Sequence, residues 1–189
     1  MLDKEQNDGF VQPYSDSPHD TENVSENIYM NIIERAKDYV YITTPYLILD
    51  DAMETSLKNA AKAGVDVRII TPHIPDKKLV FEATRASYMP LMKAGVKIYE
   101  YTPGFVHAKM FVSDDKLATV GTANLDYRSL FLHFECGTLM YRSAAVSSVK
   151  ADFLETFEKC HRCSIAEMKR CSPFGKALAF VMKIIAPLL

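Results

Sequence analysis

No apolar run in this 189-residue chain reaches the roughly 18 residues that a membrane-spanning helix needs, so no transmembrane span is expected. The opening Met1-Leu-Asp-Lys-Glu-Gln-Asn-Asp-Gly has no hydrophobic core segment, which argues against a signal peptide. A basic surplus is also missing: 22 Lys and Arg stand against 24 Asp and Glu, for a net charge of −2 and a pI near 6.2. A dedicated nucleic-acid binder usually carries a basic excess, so no specific nucleic-acid partner is expected. Cysteine is scarce, with four residues. Cys160-His-Arg-Cys163 with Cys171 offers a C-x-x-C kernel but no second close pair, so neither zinc nor any other cofactor is expected. The thiols read as reduced side chains on amphipathic helices of a cytoplasmic protein.

Hydrophobic residues make up 48% of the chain, enough for one good core. Two terminal segments stand apart. Residues 1–21 are rich in Asp, Ser, Pro and Asn and read as a polar arm preceding a single domain at 22–189. From Lys159 onward six basic residues (Lys159, Arg162, Lys169, Arg170, Lys176, Lys183) face one acid, Glu167. The stretch after Arg170 interleaves lysines with Phe174, Leu178, Phe180, Val181, Ile184 and Ile185, as an interfacial helix does, so peripheral membrane contact is expected there.

Between these segments the periodicity alternates. Ile28, Ile32, Ile33 and Ala36 mark a helix, and Tyr39 to Thr43 a buried strand. A helix over Asp51 to Ala63 stops at Gly64 before strand Val65 to Ile70; a second, Lys78 to Ala94, stops at Gly95 before strand Val96 to Tyr101. These β-α-β-α-β steps predict an α/β fold with a mixed, largely parallel sheet flanked by helices on both faces. Met110 to Val112 and Leu117 to Val120, joined by Ser113-Asp-Asp-Lys116, predict a hairpin. A further strand is predicted from His133 to Tyr141, with helices from Val146 onward.

The candidate chemistry sits at the hairpin. His107 and Lys109 are two apart, so on a strand both would project from one face. Neutral imidazole can attack phosphorus and form a phosphohistidine, and a neighbouring ammonium neutralises charge on the non-bridging oxygens. No metal is needed. Gly121-Thr122-Ala-Asn124 follows the second strand, where a tight turn presents a hydroxyl and a carboxamide whose N–H groups suit phosphate oxygens. Glu135 stands among apolar residues and requires a partner; His107, whose second ring nitrogen must be oriented, is the economical one. Asp114, at the turn, is too far along the strand to share the phosphate and is assigned a structural hydrogen-bonding role. Tyr46 is a candidate channel residue and Arg85 a candidate lipid-phosphate contact. His73 is read as an ordinary loop residue and His133 as a packing residue.

Together, His107-x-Lys109-x-x-x-x-Asp114, Thr122-x-Asn124 and Glu135 resemble the phospholipase D superfamily signature. The strings Tyr41-Ile-Thr-Thr-Pro-Tyr-Leu, Val67-Arg-Ile-Ile-Thr-Pro, Ile74-Pro-Asp-Lys-Lys, Ala94-Gly-Val-Lys-Ile-Tyr-Glu-Tyr-Thr-Pro-Gly-Phe-Val-His and Asn124-Leu-Asp-Tyr-Arg-Ser are similar to the C-terminal catalytic half of bacterial cardiolipin synthases. That resemblance implies transfer of a phosphatidyl group from phosphatidylglycerol through a phosphohistidine, at the cytoplasmic face of the bacterial membrane in the parent enzyme. It implies two motifs, one histidine as nucleophile and the other as acid and base. This chain carries one, and its match to the second motif favours the acid role for His107, with the nucleophile role left open beside it. The partner motif then comes from an N-terminal half or a second copy. Two other readings stand beside it: a single-motif homodimeric phosphodiesterase or nuclease, and an inactive fragment.

Overall fold

The computed structural model describes residues 9–19 and 21–169. In chain order the elements are β1 (Phe10–Asp16), α1 (Val24–Arg35), β2 (Tyr39–Thr43), β3 (Leu47–Ile48), α2 (Asp51–Lys62), β4 (Asp66–Pro72), α3 (Lys78–Ala94) and β5 (Lys97–Tyr101). They continue with β6 (Met110–Ser113), β7 (Leu117–Gly121), β8 (Leu125–Asp126), α4 (Tyr127–Phe131), β9 (Glu135–Tyr141), α5 (Ala144–Glu158), β10 (Cys160–Arg162) and α6 (Ile165–Lys169).

Local chemistry sets the helix limits. The Asp50 carboxylate accepts the Met53 N–H at the start of α2, and Asp51 and Glu54 place negative charge where the helix dipole is positive. Past the end of α3, Gly95 takes φ 109°, a left-handed cap that other residues adopt only with strain, and its N–H returns to Leu91 and Met92. The β6–β7 turn is less ordinary, with Asp114 and Asp115 both at positive φ (52° and 56°) where Asn-Gly is favoured. Asp114 is held there because its carboxylate accepts backbone N–H groups of Lys37, Asp38 and Tyr39 at 2.8–3.0 Å, tying the hairpin to the α1–β2 connection.

Eight strands form one sheet in the order β1-β9-β7-β6-β2-β4-β5-β10. The β-α-β-α-β steps produce the parallel pairs β2–β4 and β4–β5, and the other neighbours in this sheet are antiparallel, so its parallel part is its β2–β4–β5 segment. β3 and β8 make a small parallel pair of their own. Helices cover both faces. Tyr29, Ile32, Leu57 and Leu91 from α1–α3 pack with Val40, Ile42, Val67 and Ile98, and Tyr29 stacks on Phe111 at 4.2 Å. On the other face Val146 and Phe153 of α5 pack with Tyr41, Ile70 and Val112.

Two expectations are corrected. The polar arm is not free: residues 10–16 form β1, which pairs along its length with β9, and Tyr14 Oη bonds Thr119 Oγ1 at 3.0 Å. Cys160 lies in a strand rather than a helix, because β10 adds antiparallel to β5. The interfacial helix expected after Arg170 lies outside the described residues. Among the described residues no helix is long and apolar enough to cross a membrane.

Candidate active site

Strand polarity brings the motif residues together. β2, β4 and β5 end at one edge of the sheet, and the registers Thr43↔Met110, Met110↔Val120 and Gly121↔Gly137 put the start of β6, the end of β7 and the start of β9 at that same edge. His107 and Lys109 lead into β6, Thr122 and Asn124 follow β7, Glu135 opens β9 and Tyr46 follows β2. Gly121 permits the close approach: a Cβ there would lie 2.7 Å from the Cys136 carbonyl oxygen, so β7 and β9 could not meet with any other residue.

His107 and Lys109 precede the strand that was expected to contain them. The Lys109 ammonium is buried and donates to the His107 carbonyl oxygen at 2.8 Å, whereas the His107 ring is exposed, 5.7 Å from Phe105. Burial lowers the Lys109 pKa, and the carboxylates of Glu135 and Asp126 pull it back up. A half-desolvated cation beside an open imidazole is suited to a phosphodiester: the ring can attack phosphorus or pass a proton, and the ammonium stabilises the oxygens as charge builds.

The remaining motif groups are paired differently from expectation. Glu135 accepts from the Thr122 hydroxyl, and its other oxygen lies 4.0 Å from His133 Nδ1. Thr122 Oγ1 also accepts the Cys136 N–H at 2.9 Å, so this hydroxyl fastens the β7–β9 junction. Asn124 was expected to offer N–H donors. Its Nδ2 instead donates to Asp126 Oδ2 at 3.1 Å and Ser129 Oγ at 2.9 Å, and the buried Oδ1 has no partner among the described residues. What Asn124 leaves open is an acceptor, fit for an N–H of a charged neighbour.

Tyr46 does line a cavity of about 180 Å³ beside this edge, with Lys77, Asn124, Arg128, His133 and Glu135. Its hydroxyl donates to Asp76, and burial with that hydrogen bond raises its pKa. Arg85 is placed differently from a lipid-phosphate contact: its guanidinium stands 3.5 Å from the buried Glu100 carboxylate. Two histidines were under-read. His73 Nδ1 bonds Glu100 Oε2 at 2.7 Å, and His133 Nε2 accepts from Arg128 Nε at 2.9 Å. Because Nε2 of His133 accepts, the proton of the neutral ring sits on Nδ1, on the Glu135 side. The sequence signal for His133 was its place two residues before Glu135 at the mouth of the site; His73 had none, since Glu100 lies on another strand.

Residues 29–157 match the family described as cardiolipin synthase, PLD-like domain. The cardiolipin synthase of Halalkalibacterium halodurans is 36% identical over 96% of this chain and 36% of its own length. The chain spans little more than a third of the length of the curated relatives it matches. Among solved structures, the phosphatidylserine synthase of Haemophilus influenzae Rd KW20 superposes with a TM-score of 0.73 at 15% identity, over 94% of this chain and 45% of that one. The phospholipase D family member Nuc of Salmonella typhimurium gives a TM-score of 0.69 at 15% identity, over 82% and 97%.

Proposed function

The chain belongs to the family of cardiolipin synthase, phospholipase D-like domains, and from that membership we propose that it is a phosphatidyltransferase half-domain that works with a second motif to convert phosphatidylglycerol to cardiolipin and glycerol. The observation that carries the reading is the exposed His107 imidazole next to the buried Lys109 ammonium. In the first step the histidine of the other motif attacks phosphorus, the bond from phosphorus to the glycerol oxygen breaks, and His107 gives that oxygen a proton. In the second step neutral His107 takes the proton from the hydroxyl of another phosphatidylglycerol as that oxygen displaces the phosphohistidine. Lys109 stabilises the non-bridging oxygens throughout. Asn124 and Glu135 hold the surrounding polar groups, and Thr122 anchors Glu135.

The test is a histidine-by-histidine trap in the protein that contains both motifs. With a p-nitrophenyl phosphodiester, whose leaving group needs no protonation, His107→Ala should still release one equivalent of nitrophenolate and then stall, with the remaining phosphoryl ester on the other histidine. Full turnover of phosphatidylglycerol by that variant would overturn the proposal, and phosphate found on His107 of the wild type would make it the nucleophile. One motif in one chain also supports a homodimeric phosphodiesterase. Solution mass measured alongside phosphatidyl transfer and DNA cleavage separates the two, since a dimer that cuts DNA and transfers no lipid would favour the second.

A further inference from the structure

Large apolar side chains left in solvent are not spread evenly over the molecule. Of the ten exposed ones among the described residues, Ile74, Leu79, Leu132 and Phe134 lie within three positions of residues that line the cavity, and the Phe105 ring lies near that of Tyr46, which lines it. The cavity that Tyr46, Asn124 and Glu135 line has two lips. One is the β4–α3 loop and first turn of α3, which contributes Lys77 and Val80 to the lining; the other is the α4–β9 connection, which contributes Arg128 and His133. Ile74 and Leu79 flank the first lip, at 51% and 58% exposure; Leu132 and Phe134 flank the second, at 51% and 73%. Phe105 closes the circuit, its ring 6.5 Å from Tyr46 and 5.7 Å from His107.

Charge on this rim has one prevailing sign. Lys77, Lys78 and Arg128 are exposed there, and α3 has no acidic residue in its first turn. One exposed carboxylate shares the first lip, Asp76, which accepts from Tyr46 and is outnumbered by the three cations, while Asp126 and Glu135 line the cavity. Cations interleaved with apolar side chains around a polar hole are complementary to an anionic bilayer, with fatty chains to meet Leu79 and Phe134 and phosphates to meet the lysines. We propose that this rim is a bilayer-docking surface, seating the cavity over a single anionic phospholipid so that its phosphodiester reaches His107 without the acyl chains leaving the membrane. The identity of that surface rests on the phospholipid reading of the site. The surface itself rests on the disposition of the apolar and basic residues.

The chain contains no tryptophan, so one introduced residue reports its own surroundings. Leu79→Trp and Phe134→Trp, with Leu154→Trp on α5 as the control position, should be mixed with vesicles of phosphatidylglycerol and phosphatidylcholine and with phosphatidylcholine alone. The first two should shift to the blue and be quenched by brominated lipid on the anionic vesicles, less so in high salt, while the control stays unchanged. Combining Leu79→Asp with Phe134→Asp should weaken vesicle binding by roughly 10-fold or more with the melting temperature unaltered, since both side chains lie in solvent. Vesicle binding with no shift at either rim position would assign the contact to other residues and overturn the proposal. A lipid-independent blue shift that grows with protein concentration would identify a second copy as the occupant, and absence of vesicle binding would equally end it. Turnover of a short-chain phosphatidylglycerol below its micelle concentration tests the catalytic reading separately, because that substrate needs no surface.

Discussion

The two edges of the sheet treat polar groups in opposite ways. At the edge where β4 and β5 begin, Asp66 accepts from both Nε and Nη2 of Arg68 and from Lys97, and the nearby turn of the hairpin has Asp114 on backbone N–H groups and Asp115 on Lys150 and Tyr39. Carboxylates there meet opposite charge or fixed dipoles. At the edge where those strands end, the buried Lys109 donates to a neutral carbonyl, Glu135 accepts from a neutral hydroxyl and Asn124 Oδ1 has no partner among the described residues. One signature, His107 to Asp114, runs from the second kind of edge to the first. On the proposed reading its histidine and lysine serve the chemistry, while its aspartate holds backbone N–H groups at the turn, so one spacing serves two ends.

Replacing Lys109 by Met gives the largest separation between the edges. The complete enzyme should lose on the order of 10²-fold or more in turnover, as when a single electrostatic stabiliser is removed. The same variant should melt at a higher temperature, because burial already disfavours the charged lysine. The sign is fixed by linkage: a lysine with a lowered pKa costs stability while protonated, and that cost fades as pH rises through its folded value, so the gain in melting temperature should shrink in alkaline buffer. A variant that is both slower and less stable would show Lys109 to be part of the scaffold and erase the contrast.

Asp114→Ala probes the other end of the motif. Three backbone donors lose their acceptor and the left-handed turn loses its anchor, a loss of roughly 1–3 kcal/mol in urea unfolding. Turnover per folded molecule should change far less than in the Lys109 variant. If it fell as much, the aspartate would act on the reaction through the hairpin.

Asp66→Asn should have the smallest effect, roughly 1 kcal/mol or less after solvent screening of this partly exposed cluster. Desolvation raises the Asp66 pKa, but its hydrogen bonds to Arg68 and Lys97 outweigh this and leave it below the usual carboxylate value. The contribution should therefore be complete above about pH 4, the unfolded value, and vanish as pH falls through the lower folded one. Chemical denaturation of the two proteins at neutral and acidic pH measures that convergence; a gap that persists in acid would mean packing, not charge, holds the cluster.

Short-range signals in the sequence were the ones that could be read. Gly64 and Gly95 after amphipathic runs located α2, α3 and the strands that follow, and the motif spacing located His107, Lys109 and the β6–β7 turn. β1 was missed because Phe10-Val-Gln-Pro13-Tyr contains a proline and many polar neighbours, and because what makes it a strand is β9, more than a hundred residues away. The pairings of Glu135, Asn124 and His73 were missed for a related reason. A side chain's hydrogen-bond partner obeys no period along the chain, so the residues of the site were visible while their bonds to one another were not.

β1 also has a consequence for the order in which the protein can be made. Phe10 pairs with Tyr141 and Asp16 with Glu135, so β1 leaves the ribosome more than a hundred residues before the strand it pairs with. Until β9 emerges, Tyr14 lacks the flat surface of Gly137, where any Cβ would collide with its ring. Between those two points β1 is a strand without its neighbour, and its placement covers the open side of the very strand that begins with Glu135.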